Sequence, residues 1–175
     1  MTVYLKEIEQ SDGDNVYDMF QELPKVELGS ENMANSMSKD QFEAHKKRLV
    51  DNSRGINLKK NETLKINYIM YDDNGRPVGS IALRPNPNKY WLKHSGHIGY
   101  SIRPSERGKC YGNAILRLVL EKAKGYGLSE VLLQCNEKNI ASQRVIENNG
   151  GVRIDEDESI YYKIELDSNN KVVLR

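Results

Sequence analysis

The feature that most constrains this chain is Ile102-Arg103-Pro104-Ser105-Glu106-Arg107-Gly108-Lys109-Cys110-Tyr111-Gly112-Asn113-Ala114, which leaves a strand-like stretch and runs straight into an amphipathic helix. A strand that ends in a small-residue turn and opens a helix leaves backbone N–H groups pointing outward. With the helix dipole they make an anion site suited to a pyrophosphate. Arg107 and Lys109 add positive charge, and Gly108 and Gly112 let a ligand approach the backbone closely. Taken alone, the same residues also read as an ordinary basic loop. Walker A and Rossmann glycine patterns are both absent here.

The helix this loop opens, Asn113 to Lys124, sets Ile115, Leu116, Val119, Leu120 and Ala123 on one face, with Arg117 and Glu121 spaced to pair opposite. Gly125-Tyr126-Gly127 stops it, and Val131-Leu132-Leu133 reads as a short buried strand. Asn139 then begins a second helix, through Val145 and Ile146 to Gly150-Gly151, and Ile160 to Leu166 alternates as a final strand.

Upstream, Val3, Leu5 and Ile8 suggest a short strand. Ser11-Asp12-Gly13-Asp14 offers N-cap candidates for a helix carrying Val16, Met19, Phe20 and Leu23, which Pro24 ends. Residues 27–38 read as a loop, and 40–50 as a helix. Ile66, Tyr68 and Met70 alternate before Asp72-Asp73-Asn74-Gly75, and Val78 to Leu83 follows. Asn-Gly between two β-prone runs marks a hairpin, because both residues tolerate positive φ. Residues 84–95 read as a connection, with Tyr90-Trp91-Leu92 as an apolar patch of the kind that joins a homodimer interface. No repeat, low-complexity tract or linker divides residues 1–175, so one mixed α/β domain is expected.

Charge removes one class of partner. Lys and Arg total 26 against 25 Asp and Glu, a formal net charge of +1, so there is no basic surplus for nucleic acid. Two cysteines, Cys110 and Cys135, cannot build a disulfide framework, and no Cys/His spacing suggests zinc or another metal. The charged start is unlike a signal peptide and no apolar run is long enough for a membrane span. The expectation is a soluble cytoplasmic protein with reduced thiols and no membrane partner.

A second motif, Asn139-Ile140-Ala141-Ser142-Gln143-Arg144-Val145-Ile146-Glu147-Asn148-Asn149-Gly150-Gly151, lies downstream. Asn139 is a natural N-cap, and an amide at that position can equally serve a binding cleft. The two motifs in this order, strongest from Gly96 to Gly151, resemble the GNAT superfamily of acyl-CoA-dependent N-acetyltransferases. Its pyrophosphate loop, Gln/Arg-x-x-Gly-x-Gly/Ala, maps onto residues 107–112, with Arg107 and Gly112 matching and Cys110 standing where the family usually has glycine.

The resemblance implies a mixed α/β (α+β) fold. Its central, mostly antiparallel mixed sheet would have about seven strands, splayed between strands 4 and 5 with the help of a β-bulge, and about four flanking helices. It implies acetyl-CoA as co-substrate and no metal. Tyr100, Ser101 and Ile102 would pair with pantetheine. Gly108, Lys109, Cys110, Tyr111, Gly112 and Asn113, with Arg107, would hold the diphosphate. Asn139 and Ser142 would meet the pantetheine or adenosine arm. The acetyl group would pass directly to the primary amine of a small molecule or peptide N-terminus, without an acyl-enzyme. The alternative is a non-catalytic acyl-CoA-binding or sensor module.

Many relatives carry a tyrosine where this chain has Ile146, and some a glutamate where it has Gln134. Candidates to replace them are His97, which titrates near neutral pH, and Tyr161 or Tyr162 on the last strand. A structural histidine and core tyrosines are the plainer readings of the same residues. Glu22, Glu27 and Glu31 suit a cationic acceptor or simply a charged surface. Cys110→Gly is expected to leave coenzyme affinity the same or tighter and to lower stability by roughly 0.5–1 kcal/mol through added chain entropy.

Overall fold

In a computed structural model the structure describes residues 2–28, 30–156 and 159–166. Strand β1 (Val3–Glu7) leads to helix α1 (Asp14–Glu22), a ribbon of two short strands, β2 (Val26–Glu27) and β3 (Ser30–Glu31), and helix α2 (Lys39–Ser53). The hairpin β4 (Ile66–Asp72) and β5 (Pro77–Leu83) comes next, then α3 (Lys89–His94) and β6 (Ile98–Ile102). Helix α4 (Tyr111–Gly125), β7 (Glu130–Cys135), α5 (Ile140–Asn148), β8 (Val152–Glu156) and β9 (Ser159–Glu165) complete the order.

Apart from the ribbon, the strands form an antiparallel sheet β1-β4-β5-β6 and a second one, β7-β9-β8. This is the mixed α/β architecture and splay that the resemblance implies, with one helix more than expected. The extra helix is α3, inside the stretch read as a connection. Six residues carry too little apolar periodicity to announce a helix, but the Asn88 side chain accepts the Trp91 N–H and caps it. The two-residue strands of the ribbon are too short to show a period, whereas β8 is as long as β1 and goes unread although Val152 and Ile154 alternate.

Strand β4 explains how the layers stack. All seven of its residues are buried, because both faces are covered. Ile66, Tyr68 and Met70 face the core built on α4, while Ile69 and Tyr71 face the one built on α1 and α2. The alternation along a strand therefore feeds two cores at once. The expected hairpin is there, but only Gly75 of the Asn-Gly pair takes positive φ (+73°), and the Asp72 carboxylate accepts the N–H groups of Asn74 (3.0 Å) and Arg76 (2.8 Å). Helix α4 buries Ile115, Leu116, Val119, Leu120 and Ala123 as expected, although Glu121 takes Lys124 as its ion-pair partner at 2.9 Å. Helix α2 starts with a full capping box between Ser38 and Gln41. No helix among the described residues is long and apolar enough to cross a membrane.

Among the described residues the two sheets share one backbone bridge. Gly96 bridges Leu133, the His97 N–H donates to the Leu132 carbonyl at 2.7 Å, and the Leu132 N–H donates to His97 Nδ1 at 3.0 Å. Beyond it, β6 and β7 share no ladder among the described residues, so each presents an open edge to the gap between them. Gly96 is what allows the junction. Its φ is +69°, and a Cβ there would lie 2.2 Å from the Leu132 carbonyl oxygen.

Candidate active site

Two adjoining cavities fill the gap. The larger, about 500 Å³, is bordered by β6, the loop of residues 106–110, the start of α4, and α5. Of the residues the sequence singled out for cofactor, Tyr100, Ser101, Ile102, Arg107, Gly108, Cys110, Tyr111, Gly112, Asn113, Asn139 and Ser142 all border it. Lys109 does not; it turns to the buried Glu106 carboxylate, 2.8 Å away, which Arg76 also pairs with at 2.8 Å. The smaller cavity, about 220 Å³, lies between Ile98-Gly99-Tyr100 and Leu133-Gln134-Cys135, closer to α3.

The start of α4 meets the larger cavity uncapped. Its N-cap, Cys110, makes no side-chain hydrogen bond to the helix, so the first-turn amides have no side-chain acceptor there. Gly108, at φ +77°, has nothing within 4 Å of where a Cβ would stand. An open-backed loop and an uncapped helix start on a cavity of this size fit a diphosphate-bearing ligand. The free edge of β6 would give an extended amide-containing arm a strand to pair with.

Cys110 itself sits at φ +62°, ψ 8°, the left-handed region where a side chain costs about 1–2 kcal/mol. This reverses the stability expectation for Cys110→Gly. Relief of that strain offsets the added chain entropy of glycine, so the variant should be as stable as wild type or up to about 1 kcal/mol more stable in urea unfolding. A midpoint displaced downward would contradict the left-handed conformation.

Charged groups around the loop are already engaged. Arg107 makes a two-pronged pair with Glu27 on the ribbon, at 2.8 and 2.7 Å, and its Nε donates to the Ile102 carbonyl at 3.1 Å. Glu22, at the end of α1, accepts Arg103 Nε and the Ser105 N–H. Burial raises that carboxyl, but these hydrogen bonds outweigh it and hold the pKa at about 2. Glu22 and Glu27 thus brace the loop.

At the boundary of the two cavities, which it lines on both sides, Tyr100 shares a 2.9 Å hydrogen bond with Ser142 Oγ on α5. Burial pushes its phenol up to about 12. Asn139 does cap α5, accepting the Ser142 N–H at 3.1 Å, and it borders both cavities too. Gln134 and Ile146 border the smaller one.

The three acid–base candidates named from the sequence lie elsewhere, and none borders either cavity. His97 Nδ1 accepts the Leu132 N–H, and burial lowers its pKa, so the ring is neutral with its free lone pair spent on the sheet junction. Tyr161 donates to the Lys93 carbonyl, and Tyr162, fully buried, donates to Glu147 at 3.1 Å. Their places in sheet and core, which strand alternation alone leaves open, account for them.

Two half-sheets part around an uncapped helix start, with paired cavities in the gap between them. A family described as Acetyltransferase (GNAT) domain matches residues 2–152, and the chain belongs to that acetyltransferase family. A search of curated proteins gives no match. Among solved structures, the chain is similar to a ribosomal-protein-S5-alanine acetyltransferase from Vibrio fischeri, with TM-score 0.70 and 16% identity over 96% of this chain and 95% of that one. It is similar to aminoglycoside acetyltransferase AAC(6′)-Ib in complex with coenzyme A, with TM-score 0.67 and 14% identity over 94% and 95% of the two chains. The spermidine/spermine N-acetyltransferase SpeG from Vibrio cholerae gives 0.59 and 14% over 93% and 92%. At such identities the likeness is one of fold.

Proposed function

We propose that this protein transfers the acetyl group of acetyl-CoA to a primary amine, in the cleft between β6 and β7. The observation that carries the reading is the uncapped start of α4 on a cavity that adjoins a second one at Tyr100. The amides of residues 110–113 would hold the diphosphate, and Arg107 would contribute once it exchanges Glu27 for phosphate. The β6 edge would align the pantetheine arm. When bound, acetyl-CoA supplies an activated thioester carbonyl.

The rest is the work of the chain. Holding an amine in line with that carbonyl removes several kcal/mol of the barrier. A backbone N–H on the β6 edge, between Tyr100 and Ile102, would donate to the oxygen as it gains charge. Tyr100 keeps its proton across the neutral range, and from its position beside Ser142 the hydroxyl would donate to the departing sulfur. It would thereby do from β6 what the missing tyrosine at Ile146 does not do from α5. Structural neighbours named for polyamine, aminoglycoside and ribosomal-protein acceptors support an amine as the acceptor class.

Saturating acetyl-CoA should raise the melting temperature by the equivalent of about 2.7 kcal/mol at one hundred times Kd. Free thiol should then appear when amines are supplied. An unmoved melting curve overturns the cofactor claim, and a shift with no thiol release across a broad amine panel favours a binding module instead.

A further inference from the structure

We infer that His94, at the end of α3, is the group that takes the proton from the acceptor amine. This rests on the acetyl-transfer reading above, which leaves the base unassigned.

His94 borders the smaller cavity, together with Ser95, Gln134 and Asn136. Its Nδ1 lies 2.9 Å from the Tyr90 carbonyl oxygen. A carbonyl oxygen only accepts, so Nδ1 must carry the hydrogen. In the neutral ring the lone pair is then on Nε2, which is where a base needs it. The Tyr90 ring stacks on the imidazole at 4.4 Å and 14°, fixing its plane. His97 holds the opposite tautomer, with Nδ1 as acceptor, and has no such lone pair to offer.

Elimination within the cavity points the same way. Its other titratable side chains are Tyr100 on β6, pushed up to about 12 by burial, and Cys135 on β7, which burial also raises. Among the described residues, no carboxylate, lysine or arginine borders it from β6, β7, α5 or the ribbon; from α3 itself, Lys93 neighbours His94 in sequence, and Tyr161 on β9 donates to the Lys93 carbonyl. Among the described residues that border it, the imidazole is the one side chain with a ring-nitrogen lone pair free to accept a proton.

In the step this implies, Nε2 takes one proton from the ammonium and frees the nitrogen lone pair. The new N–C bond forms and the C–S bond breaks, its electron pair leaving on sulfur. The amide nitrogen's second proton passes through the Tyr100 hydroxyl to that sulfur, and the imidazolium returns its own proton to solvent. No oxidant, metal or further reactant is required.

The test compares wild type with His94→Gln, supplying acetyl-CoA with spermidine, kanamycin or an alanine-initiated peptide between pH 6 and 9. Thiol release is measured alongside coenzyme A binding by calorimetry. The expected result is a drop in kcat of about 10²-fold, loss of the fall in rate that wild type shows toward acid pH, and unchanged coenzyme A affinity. Nitrogen-15 spectra of wild type should show the neutral His94 ring protonated on Nδ1, a readout that survives a poorly folded variant. A variant within about threefold of wild type with the same pH limb, or an Nε2-protonated neutral ring, overturns the inference. So does a wild type that binds coenzyme A and releases no thiol with all three acceptors. Absence of coenzyme A binding instead overturns the acetyl-transfer reading beneath it.

Discussion

Tyr100→Phe is expected to lower kcat by about 10²-fold while coenzyme A affinity stays within a few-fold, because a positioned proton donor typically contributes at least that much. The ring remains, so the packing of Tyr100 against the core around α4 is kept. What disappears is the hydroxyl and its 2.9 Å bond to Ser142, costing about 1 kcal/mol of stability. With the phenol pushed up to about 12, the wild-type rate should show no loss from this group as pH rises to 9. Steady-state thiol release together with urea unfolding separates the two effects. A kcat within about threefold of wild type would remove Tyr100 from the chemistry and leave it a wall of the cavity.

Gly96→Ala carries the largest expected loss of stability. The added methyl would meet the Leu132 carbonyl oxygen at 2.2 Å and its carbon at 2.8 Å, both backbone atoms of the neighbouring sheet. The φ of +69° adds a left-handed penalty of about 1–2 kcal/mol, and relieving the contact costs about 1–3 kcal/mol more. Gly75→Ala is the matched control. Its φ is +73° with nothing within 4 Å, so only the backbone penalty applies. Urea midpoints should therefore fall much further for Gly96→Ala. Equal losses at both positions would mean that the sheet junction yields easily.

The contrast between these glycines also marks what the sequence could convey. The Asp72–Gly75 hairpin, the buried face of α4 and the Asn139 cap depend on residues within a turn or two of one another, and local pattern revealed them. Features made by distant residues did not show. Tyr100 meets Ser142 across 42 positions, and Arg107 meets Glu27 across 80. Glu27 therefore read as free surface charge when it is spent on the loop. His97 is a candidate from the sequence because it begins a strand beside the expected cleft, whereas nothing in the sequence marks His94. The deciding fact, which ring nitrogen faces a carbonyl, exists only once α3 has folded. The periodic signal for α3 was too short to be seen.

Leu28, Ser30, Tyr100, Asn139 and Ser142 belong to the walls of both cavities. Enzymes whose two substrates occupy separate walls can change preference for one and keep the other. Under the proposed acetyl transfer the shared wall would tie the two together: substitutions at these five positions should move the Michaelis constants for coenzyme and acceptor jointly, with effects that do not add. Acceptor preference can drift independently only through residues that touch the smaller cavity alone, such as Gln134, Asn136 and Ser95. Diversification of this scaffold toward new amines is thereby channelled through the rim that α3 and the end of β7 provide.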